Sequence, residues 1–423
     1  VIGIVGMGYV GLPLGLVFAD QGFRVVGFDT DPAKVEQLNR GVSYFRHLNR
    51  DRIRRSLEKG LLSATDDFSR FSEMDCIIIC VPTPLTAQRE PDMSFVISTV
   101  EKIARILRPG QMVILESTTY PGTTEELVLD ILAKSGLVVG TDYFLGFSPE
   151  REDPGNARFS THSIPKIVSG IEEVSGELCE QLYRKVVGST VRVSTTGTAE
   201  ATKLTENIFR AVNIALVNEL KIVFDRMGID IWEVLDAAET KPFGFMRFNP
   251  GPGWGGHCIP LDPFYLSWKA REYKVAARFI ELAGEVNIRV PEYVVEKIVS
   301  GLNEAGKSVK GSRILLLGLA YKKDIDDPRE SPAFEIMDLL LKRGAEVSYH
   351  DPYIPKAPAM RTWPDLPQLD SLALTSDALQ SADLVVIVTD HSNIDYQQVL
   401  QHAPVVVDTR GVFRGRHPKV IKA

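Results

Sequence analysis

The sequence is poor in the features that mark secreted, membrane and nucleic-acid-binding proteins. It has four cysteines in 423 residues, too few and too scattered for a disulfide scaffold, which predicts a reduced, cytoplasmic compartment. Their spacing is not that of a metal knuckle, so no metal is expected. No apolar run approaches the roughly 20 residues that span a bilayer, and the opening VIGIVG predicts no signal peptide. The net charge of −7 argues against nucleic-acid or anionic-membrane partners.

What the sequence does contain is an alternation of apolar runs and helical stretches. VIGIVG, FRVVGFD, DCIIICV, QMVILEST and YFLGFSPE read as strands of the first half, and their continuous apolar character indicates burial on both faces. A second series begins near Gly311 with SRILLLGLAY, AEVSYHDP, DLVVIVTD and PVVVDTRG. The pattern predicts an α/β fold with two parallel-sheet domains that are distant copies of one plan.

The segment between the two series is different. About thirty residues from AEATKLTENIF onward keep apolar residues at helical spacing, which predicts a long connecting helix with a possible dimer surface. A loop rich in Gly, Pro and aromatics, KPFGFMRFNPGPGWGGHCIPLDP, follows it. The predicted domains are 1–195 for nucleotide binding, 196–304 for a central helical domain with the cysteine loop, and 305–423 for a second nucleotide-type domain.

The first chemical signal is the glycine pattern Gly6-Met7-Gly8-Tyr9-Val10-Gly11, between a strand and a helix. Gly6 permits a tight turn, Gly8 allows the backbone to approach a pyrophosphate, and Gly11 allows close helix packing. The next strand ends at Asp29, where a carboxylate binds a ribose 2′-hydroxyl and repels a 2′-phosphate. The pattern therefore predicts an NAD site, against the alternative of a glycine-rich turn in an ordinary α/β protein.

Two further strand ends are candidate cofactor contacts, because ligands bind outside the carboxyl ends of parallel strands. They carry Pro82 and Thr83, and Ser117 and Thr118. The alternative is simple turn chemistry, and the sequence leaves both open.

Cys258 lies in Gly255-Gly256-His257-Cys258, surrounded by polar and glycine residues, and Asp262 follows four residues later. A thiol together with NAD is the chemistry of aldehyde oxidation through a thiohemiacetal and a thioester. The alternative for any single cysteine is a small buried hydrophobe.

Lys203 and Asn207 stand one helical turn apart and could together hold a developing alkoxide, although a solvated face is the commoner meaning of such a pair. The second α/β series opens with Gly318-Leu319-Ala320-Tyr321-Lys322 and lacks the three glycines. It should therefore bind a nucleotide differently, or none.

Taken together, the motifs resemble the UDP-glucose/GDP-mannose dehydrogenase family over essentially the whole chain. GMGYVGLP, CVPTP, ESTTYPGTT, FSPER, AEATKLTENIFRAVNIALVNE, GPGWGGHCIPLDP, GLAYKKDIDDPRESP and DTRG occur in family order. The resemblance implies two Rossmann-like domains joined by a long dimerising helix, NAD as cofactor, a homodimer or higher oligomer, and two successive oxidations of a UDP-sugar alcohol to a carboxylate.

The same resemblance assigns roles to individual residues. The implied catalytic residues are Cys258 as nucleophile, Lys203 and Asn207 for oxyanions, Asp262 for water or proton transfer, Glu150 for thioester hydrolysis, and Thr118. The implied cofactor contacts are Gly6, Gly8, Tyr9, Val10, Gly11, Asp29, Lys34, Pro82, Thr83, Ser117, Thr118 and Arg329. The implied substrate contacts are Glu150, Arg151, Lys203, Asn207, Gly255, Tyr321 and Lys322. Arg210 and Arg247 are further candidates for contacts to the substrate or across subunits.

One departure concerns a second glutamate that family members often carry, because Pro154 stands at that position. The chain looks most similar to the N-acetylhexosamine branch, which implies oxidation of C6 of UDP-N-acetylglucosamine for surface polysaccharide biosynthesis. UDP-N-acetylmannosamine, UDP-N-acetylgalactosamine and UDP-glucose remain alternative substrates. A single-step hydroxyacid-type dehydrogenase is disfavoured by Cys258 and the second α/β half, and a non-catalytic sugar-nucleotide sensor by the intact motifs.

Overall fold

The computed structural model describes residues 1–45, 48–86, 88–151, 163–256, 259–360 and 362–423. Within them the chain divides into two compact units, of which the first comprises residues 1–206 and 264–276 and the second residues 207–263 and 277–423. The division into three domains at 195 and 304 stays a prediction. No helix in the described part of the chain is long and apolar enough to cross a membrane.

The first unit is built on an eight-stranded sheet of order β3-β2-β1-β4-β5-β6-β7-β8. Every neighbouring pair is parallel except β6 and β7, which are antiparallel, a feature that the apolar pattern did not predict. The strands are β1 (Ile2–Val5), β2 (Val25–Phe28), β3 (Leu62–Thr65), β4 (Cys76–Ile79), β5 (Met112–Leu115), β6 (Phe144–Phe147), β7 (Lys166–Gly170) and β8 (Thr190–Arg192).

Helices cover both faces of this sheet, as the continuous apolar strands require. Side chains of β1 point alternately into two core clusters, with Ile4 in one and Val5 in the other. The helices are α1 (Gly11–Asp20), α2 (Pro32–Asn39), α3 (Arg50–Glu58), α4 (Ser94–Ala104), α5 (Leu129–Leu132) and α6 (Glu173–Tyr183), with 3₁₀ turns at Phe68–Glu73 and Ala133–Ser135 and a π-helical turn at Thr123–Val128.

The second unit contains a five-stranded, fully parallel sheet of order β10-β9-β11-β12-β13. The strands are β9 (Arg313–Leu317), β10 (Glu346–His350), β11 (Leu384–Ile387), β12 (Val406–Asp408) and β13 (Val420–Lys422). The helices are α8 (Ile231–Glu239), α10 (Arg278–Glu304), α11 (Pro332–Lys342), α12 (Ser376–Ser381) and α13 (Tyr396–His402). Ser331 caps α11 by accepting the Ala333 N–H, with Pro332 at the first helical position.

Two helices contribute residues to both units, namely α7 (Thr196–Arg226) and α9 (Asp262–Glu272). At 31 residues α7 is the long helix that the apolar spacing predicts. The prediction of an α/β fold with two Rossmann-like parallel sheets and a long central helix is therefore confirmed.

Candidate active site

The three glycines of the first loop each have a distinct structural reason. Gly6 has φ +91°, a left-handed conformation that side chains rarely adopt. A Cβ on Gly11 would lie 2.0 Å from the Gly6 carbonyl oxygen, so only glycine lets α1 begin this close to the turn. A Cβ on Gly8, in contrast, would meet no heavy atom within 4 Å, which leaves room for a phosphate.

Asp29 is held at the end of β2 by backbone donors. Its Oδ2 accepts the Met7 N–H at 3.0 Å and its Oδ1 the Asp31 N–H at 3.0 Å. The ammonium of Lys34 lies 3.8 Å from Oδ2. The acid is thereby tied to the glycine loop, and Lys34 lies beside it.

The ends of β4 and β5 are cross-linked. The Thr83 hydroxyl donates to the Thr118 carbonyl at 2.7 Å, and the Ser117 hydroxyl donates to the Val81 carbonyl at 2.8 Å. The phenol of Tyr265, on α9, donates to the Thr83 carbonyl. These bonds join the strand-end residues proposed from the sequence, Thr83, Ser117 and Thr118. Such cross-links favour a specific arrangement of this sheet edge over residues that only end their strands.

Lys203 is 4% exposed, and its ammonium lies 3.3 Å from Oε2 of Glu150 and donates to the Glu150 carbonyl. Beside them, Arg151 forms an ion pair with Glu206 at 2.5 Å. The first unit therefore brings into one cluster Glu150, predicted for thioester hydrolysis, its neighbour Arg151, and Lys203, predicted to stabilise oxyanions.

Sequence reasoning missed Glu200, one turn before Lys203. Its carboxylate accepts the N–H groups of Gly122 and Thr124 at 2.6 and 2.9 Å and the Thr124 hydroxyl at 2.7 Å. Burial raises its pKa to about 7. The available signal in the sequence was an acidic residue on the buried side of a helix. In the structure, Glu200 fixes the turn that follows Ser117 and Thr118.

In the second unit, Asn207 and Asp262 are joined directly. The Asn207 amide donates to the Asp262 carboxylate at 2.5 Å, and Arg210 donates to the Asn207 carbonyl oxygen. Asn207 and Asp262 are 1% and 3% exposed. Because both the nitrogen and the oxygen of the Asn207 side-chain amide are hydrogen-bonded, its orientation is fixed. Asn207, predicted to stabilise oxyanions, and Asp262, predicted for water or proton transfer, therefore form one ordered hydrogen-bonded network.

The glycine segment before the cysteine packs against the second α/β half. A Cβ on Gly255 would lie 2.7 Å from Cβ of Tyr321, and the Gly256 N–H donates to the Arg329 carbonyl at 3.1 Å. The Arg329 guanidinium forms a two-pronged pair with Asp327 at 2.9 and 2.6 Å. The predicted substrate residues Gly255 and Tyr321 are thus in contact, and the half-buried Lys322 follows in the chain.

Other predicted residues are placed differently or lie outside the description. Arg247 forms ion pairs with Asp236 and Glu239 on α8, at 2.7 and 2.8 Å, and not with the Asn207–Asp262 chain. Cys258, His257 and Pro154 lie outside the described residues. Among the described cysteines, burial raises the pKa of all three thiols and makes them poor nucleophiles: Cys76, Cys80 and Cys179.

The open space at Gly8 and the oriented carboxylate of Asp29 fit a dinucleotide that carries a free ribose 2′-hydroxyl. Tyr9 and Val10 follow Gly8 in the same loop, immediately before α1 begins at Gly11. The fold and this loop define the class, a nicotinamide-dependent dehydrogenase.

Comparison with known proteins narrows the class. Models of the UDP-glucose/GDP-mannose dehydrogenase family match in three parts, the NAD binding domain over residues 1–187, the central domain over 197–289 and the UDP binding domain over 315–415. The chain belongs to the UDP-glucose/GDP-mannose dehydrogenase family. It is an NAD-dependent UDP-sugar dehydrogenase, as the resemblance indicated.

Individual relatives span different sugars. The UDP-N-acetyl-D-glucosamine 6-dehydrogenase of Pseudomonas aeruginosa is 37% identical over 364 residues, covering 86% of this chain and 85% of the relative. The UDP-N-acetyl-D-mannosamine dehydrogenase of Pyrococcus horikoshii is 33% identical, covering 98% and 99%. The solved structure of the UDP-D-ManNAc dehydrogenase from P. horikoshii matches with a TM-score of 0.89 at 31% identity, covering 100% of this chain and 98% of that one.

Proposed function

We propose that the protein oxidises the C6 alcohol of UDP-N-acetylglucosamine to the uronic acid in two steps, with Cys258 as nucleophile. The observation that carries the proposal is the buried Asn207–Asp262 pair, at the start of the helix that follows the Gly-Gly-His-Cys segment. A fixed amide, paired with a carboxylate that follows the cysteine by four residues in the sequence, suits a reaction that forms and then hydrolyses an acyl intermediate.

NAD, when bound, supplies the hydride acceptor for both oxidations. Loss of the C6 hydroxyl proton together with a hydride from C6 gives the aldehyde, with Lys203 and Asn207 stabilising the developing oxyanion. The Cys258 thiolate then adds to the aldehyde carbon, and loss of hydride from the thiohemiacetal leaves a thioester. Water cleaves the thioester with help from Glu150, Thr118 or Asp262, releasing the carboxylate and restoring the thiol.

The choice of N-acetylglucosamine rests on the relatives. The P. aeruginosa and Salmonella typhi UDP-N-acetyl-D-glucosamine 6-dehydrogenases are 37% and 34% identical. UDP-N-acetylmannosamine is the second candidate, because several UDP-N-acetyl-D-mannosamine dehydrogenases are 32–34% identical. A role in surface polysaccharide synthesis fits the similarity to Protein CapL of Staphylococcus aureus, at 33% identity over 97% of this chain.

We also propose a homodimer formed through α7. Its second-unit part exposes three large apolar side chains at intervals of seven residues, Met227 is exposed immediately after its end, and α10 exposes two more at its start. They are Phe209, Leu216 and Val223 on α7, Met227 after it, and Phe279 and Leu282 on α10. A second copy of the same face would cover such a stripe, because an exposed apolar seam at heptad spacing is the usual contact of paired helices.

The substrate is tested by NADH formation with the UDP-linked forms of N-acetylglucosamine, N-acetylmannosamine, N-acetylgalactosamine and glucose, and with GDP-mannose. We expect the highest kcat/KM with UDP-N-acetylglucosamine and two NADH per uronic acid formed. One NADH per sugar with an aldehyde product would overturn the two-step reaction, and a higher kcat/KM with another sugar would overturn the choice of sugar.

The nucleophile is tested by Cys258→Ala, with Cys80→Ala as the matched control. The Cys258 variant should bind NAD and UDP-sugar but form no uronic acid, whereas the Cys80 variant should keep its activity. Near-normal acid formation by Cys258→Ala would sink the thioester mechanism.

A further inference from the structure

A buried polar chain in the second unit holds Gly251 of the glycine segment by both of its backbone polar groups. The ammonium of Lys221 donates to the Gly251 backbone carbonyl at 2.8 Å. The side-chain amide oxygen of Asn218 accepts the Gly251 N–H at 2.9 Å. Lys221 and Asn218 stand one turn apart on α7. Both polar backbone groups of Gly251 are therefore fixed by the same helix.

The chain continues into α10. The Asn218 amide donates to the Asn287 carbonyl oxygen at 2.9 Å, and the Asn287 amide donates to the Ala283 and Ala211 carbonyls at 3.0 and 3.3 Å. Asn218 is 0% exposed and Asn287 is 1% exposed. Buried amides with satisfied donors and acceptors specify one arrangement, because any displacement leaves a polar group without a partner.

Gly251 also lies against the side chain of Arg410. A Cβ at this position would lie 2.7 Å from Nη1 of Arg410, whose Nε donates to the Val388 carbonyl at 2.7 Å. A side chain at residue 251 would therefore displace the arginine. The absence of a side chain lets the peptide lie within reach of Lys221 and Asn218.

Burial of the Lys221 ammonium at this contact has a desolvation cost. Lys221 is 3% exposed, beside a cavity of about 540 Å³ that Asp225, Trp232, Tyr293 and His417 also line. Burial lowers its pKa to about 7, helped by the positive charges of Arg410 and Lys297 and opposed by Asp225 and Asp408. A methionine would fill a similar volume without the desolvation cost, whereas the lysine ammonium bonds to the Gly251 carbonyl and lies 5.5 Å from the centre of the Tyr293 ring.

We propose that Lys221 and Asn218 are positioning residues, which set the conformation of the glycine segment and hence the place of Cys258, seven residues after Gly251. The inference rests on the proposed function, since it assumes that Cys258 is the nucleophile. A small displacement of a nucleophile is enough to slow a reaction, because attack requires a narrow range of distance and angle.

The test compares Lys221→Met, Asn218→Ala and the double variant with Asn213→Ala as control. Asn213 lies on the same helix but donates only to the carbonyl of Phe209 within that helix, at 2.7 Å. The measurements are kcat, KM for NAD, thermal unfolding, and the rate of Cys258 alkylation by iodoacetamide followed on its peptide by mass spectrometry.

We expect each single variant to lower kcat about tenfold to a hundredfold and to change the Cys258 alkylation rate, with KM for NAD unchanged. The double variant should be no slower than the slower single variant, because both side chains hold the same residue, Gly251. Lys221→Gln, which keeps an N–H donor, should recover part of the loss, and Asn213→Ala should match the wild type.

Normal kcat and normal alkylation in the Lys221 and Asn218 variants would overturn the proposal. Equal losses in kcat, KM for NAD and unfolding temperature would also overturn it, since they indicate general destabilisation. If the wild type forms no uronic acid, the proposed function fails instead, and the alkylation rates still report whether these two residues position Cys258.

Discussion

The Nε2 atom of His391 lies 3.1 Å from the carboxylate of Asp351. That same oxygen accepts the Leu319 and Ala320 N–H groups at 2.6 and 2.9 Å, while the other accepts the N–H groups of Tyr353 and Ile354. Asp351 stands at the end of β10 as Asp29 stands at the end of β2. In the second half, however, the acid is 2% exposed and holds its own loop together.

We expect Asp351→Asn to destabilise the second unit by about 2 kcal/mol, the value of hydrogen bonds to a charged acceptor. Burial opposes its charge, but the bonds from His391, Leu319 and Ala320 outweigh burial and lower its pKa. A lowered carboxyl pKa stabilises the fold above the unfolded value, near 3.8, and that contribution is lost as the pH falls through the folded value. Urea unfolding at neutral and acidic pH measures it, and the exposed Asp365→Asn should change little.

Substitutions at two loop glycines should separate cofactor binding from folding. Gly8→Ala places a Cβ in open space, so we expect a normal unfolding temperature and a KM for NAD raised about tenfold or more, because the methyl group obstructs the pyrophosphate. Gly11→Ala drives a Cβ to 2.0 Å from the Gly6 carbonyl oxygen and should destabilise the protein by more than about 2 kcal/mol. Reversed effects would contradict the assignment of the loop.

Replacement of Asp262 by asparagine should affect chemistry more than stability. The buried Asn207 amide would lose its charged acceptor, and proton transfer would lose its carboxylate. We expect kcat to fall about a hundredfold or more, the usual contribution of a general acid or base, with KM for NAD unchanged. Asp236→Asn, an exposed acid of the same unit, should leave kcat near the wild-type value; equal kcat in both variants would remove Asp262 from the mechanism.

Lys221 should make stability depend on pH above neutrality. Its folded pKa of about 7 lies below the ordinary value of 10.5, so between these values the unfolded chain binds more protons and stability rises with pH. From pH 7 to pH 9 the wild type should gain about 2–3 kcal/mol relative to Lys221→Met. Denaturant titrations at several pH values measure this difference, and parallel curves for the two proteins would contradict it.

A charge in the exposed stripe of α7 should prevent dimerisation. Leu216 is 50% exposed, and Leu216→Glu would bury an unpaired carboxylate if two such faces met. The dissociation constant should rise more than about a hundredfold, measured by sedimentation or light scattering over a concentration series. Glu219→Gln, on the same helix, is the control, and a Leu216→Glu variant that remains dimeric would place the interface elsewhere.

Local patterns were sufficient to predict the two sheets, the long helix α7, the tight turn at Gly6 and the close helix packing at Gly11. Each follows from short-range rules on apolar runs and backbone freedom. The antiparallel β6–β7 pair could not be predicted in this way, because pairing direction depends on contacts between distant segments. The roles of individual catalytic residues came from resemblance and stay predictions.

The buried polar residues show where sequence reasoning ends. Glu200, Asn218 and Asn287 each resemble an ordinary polar helix residue, because their partners in other elements lie between 33 and 78 positions away in the chain. Arg247 was a candidate for a substrate or cross-subunit contact, and its spacing did not reveal its ion pairs with Asp236 and Glu239. A side chain's partners are set by tertiary packing, which spacing along one element does not reveal.

The first unit is discontinuous along the chain, since residues 264–276 complete it. An exchange of residues 1–187 between related dehydrogenases would therefore transfer the glycine loop but leave Tyr265 behind, along with its bond to the Thr83 carbonyl. Lys269, which pairs with Glu126 at 2.6 Å, would stay behind as well. Chimeric enzymes made at residue 187 would combine Thr83 and Glu126 of one parent with the α9 side chains of the other. The exchange keeps these contacts matched only if α9 is exchanged as well.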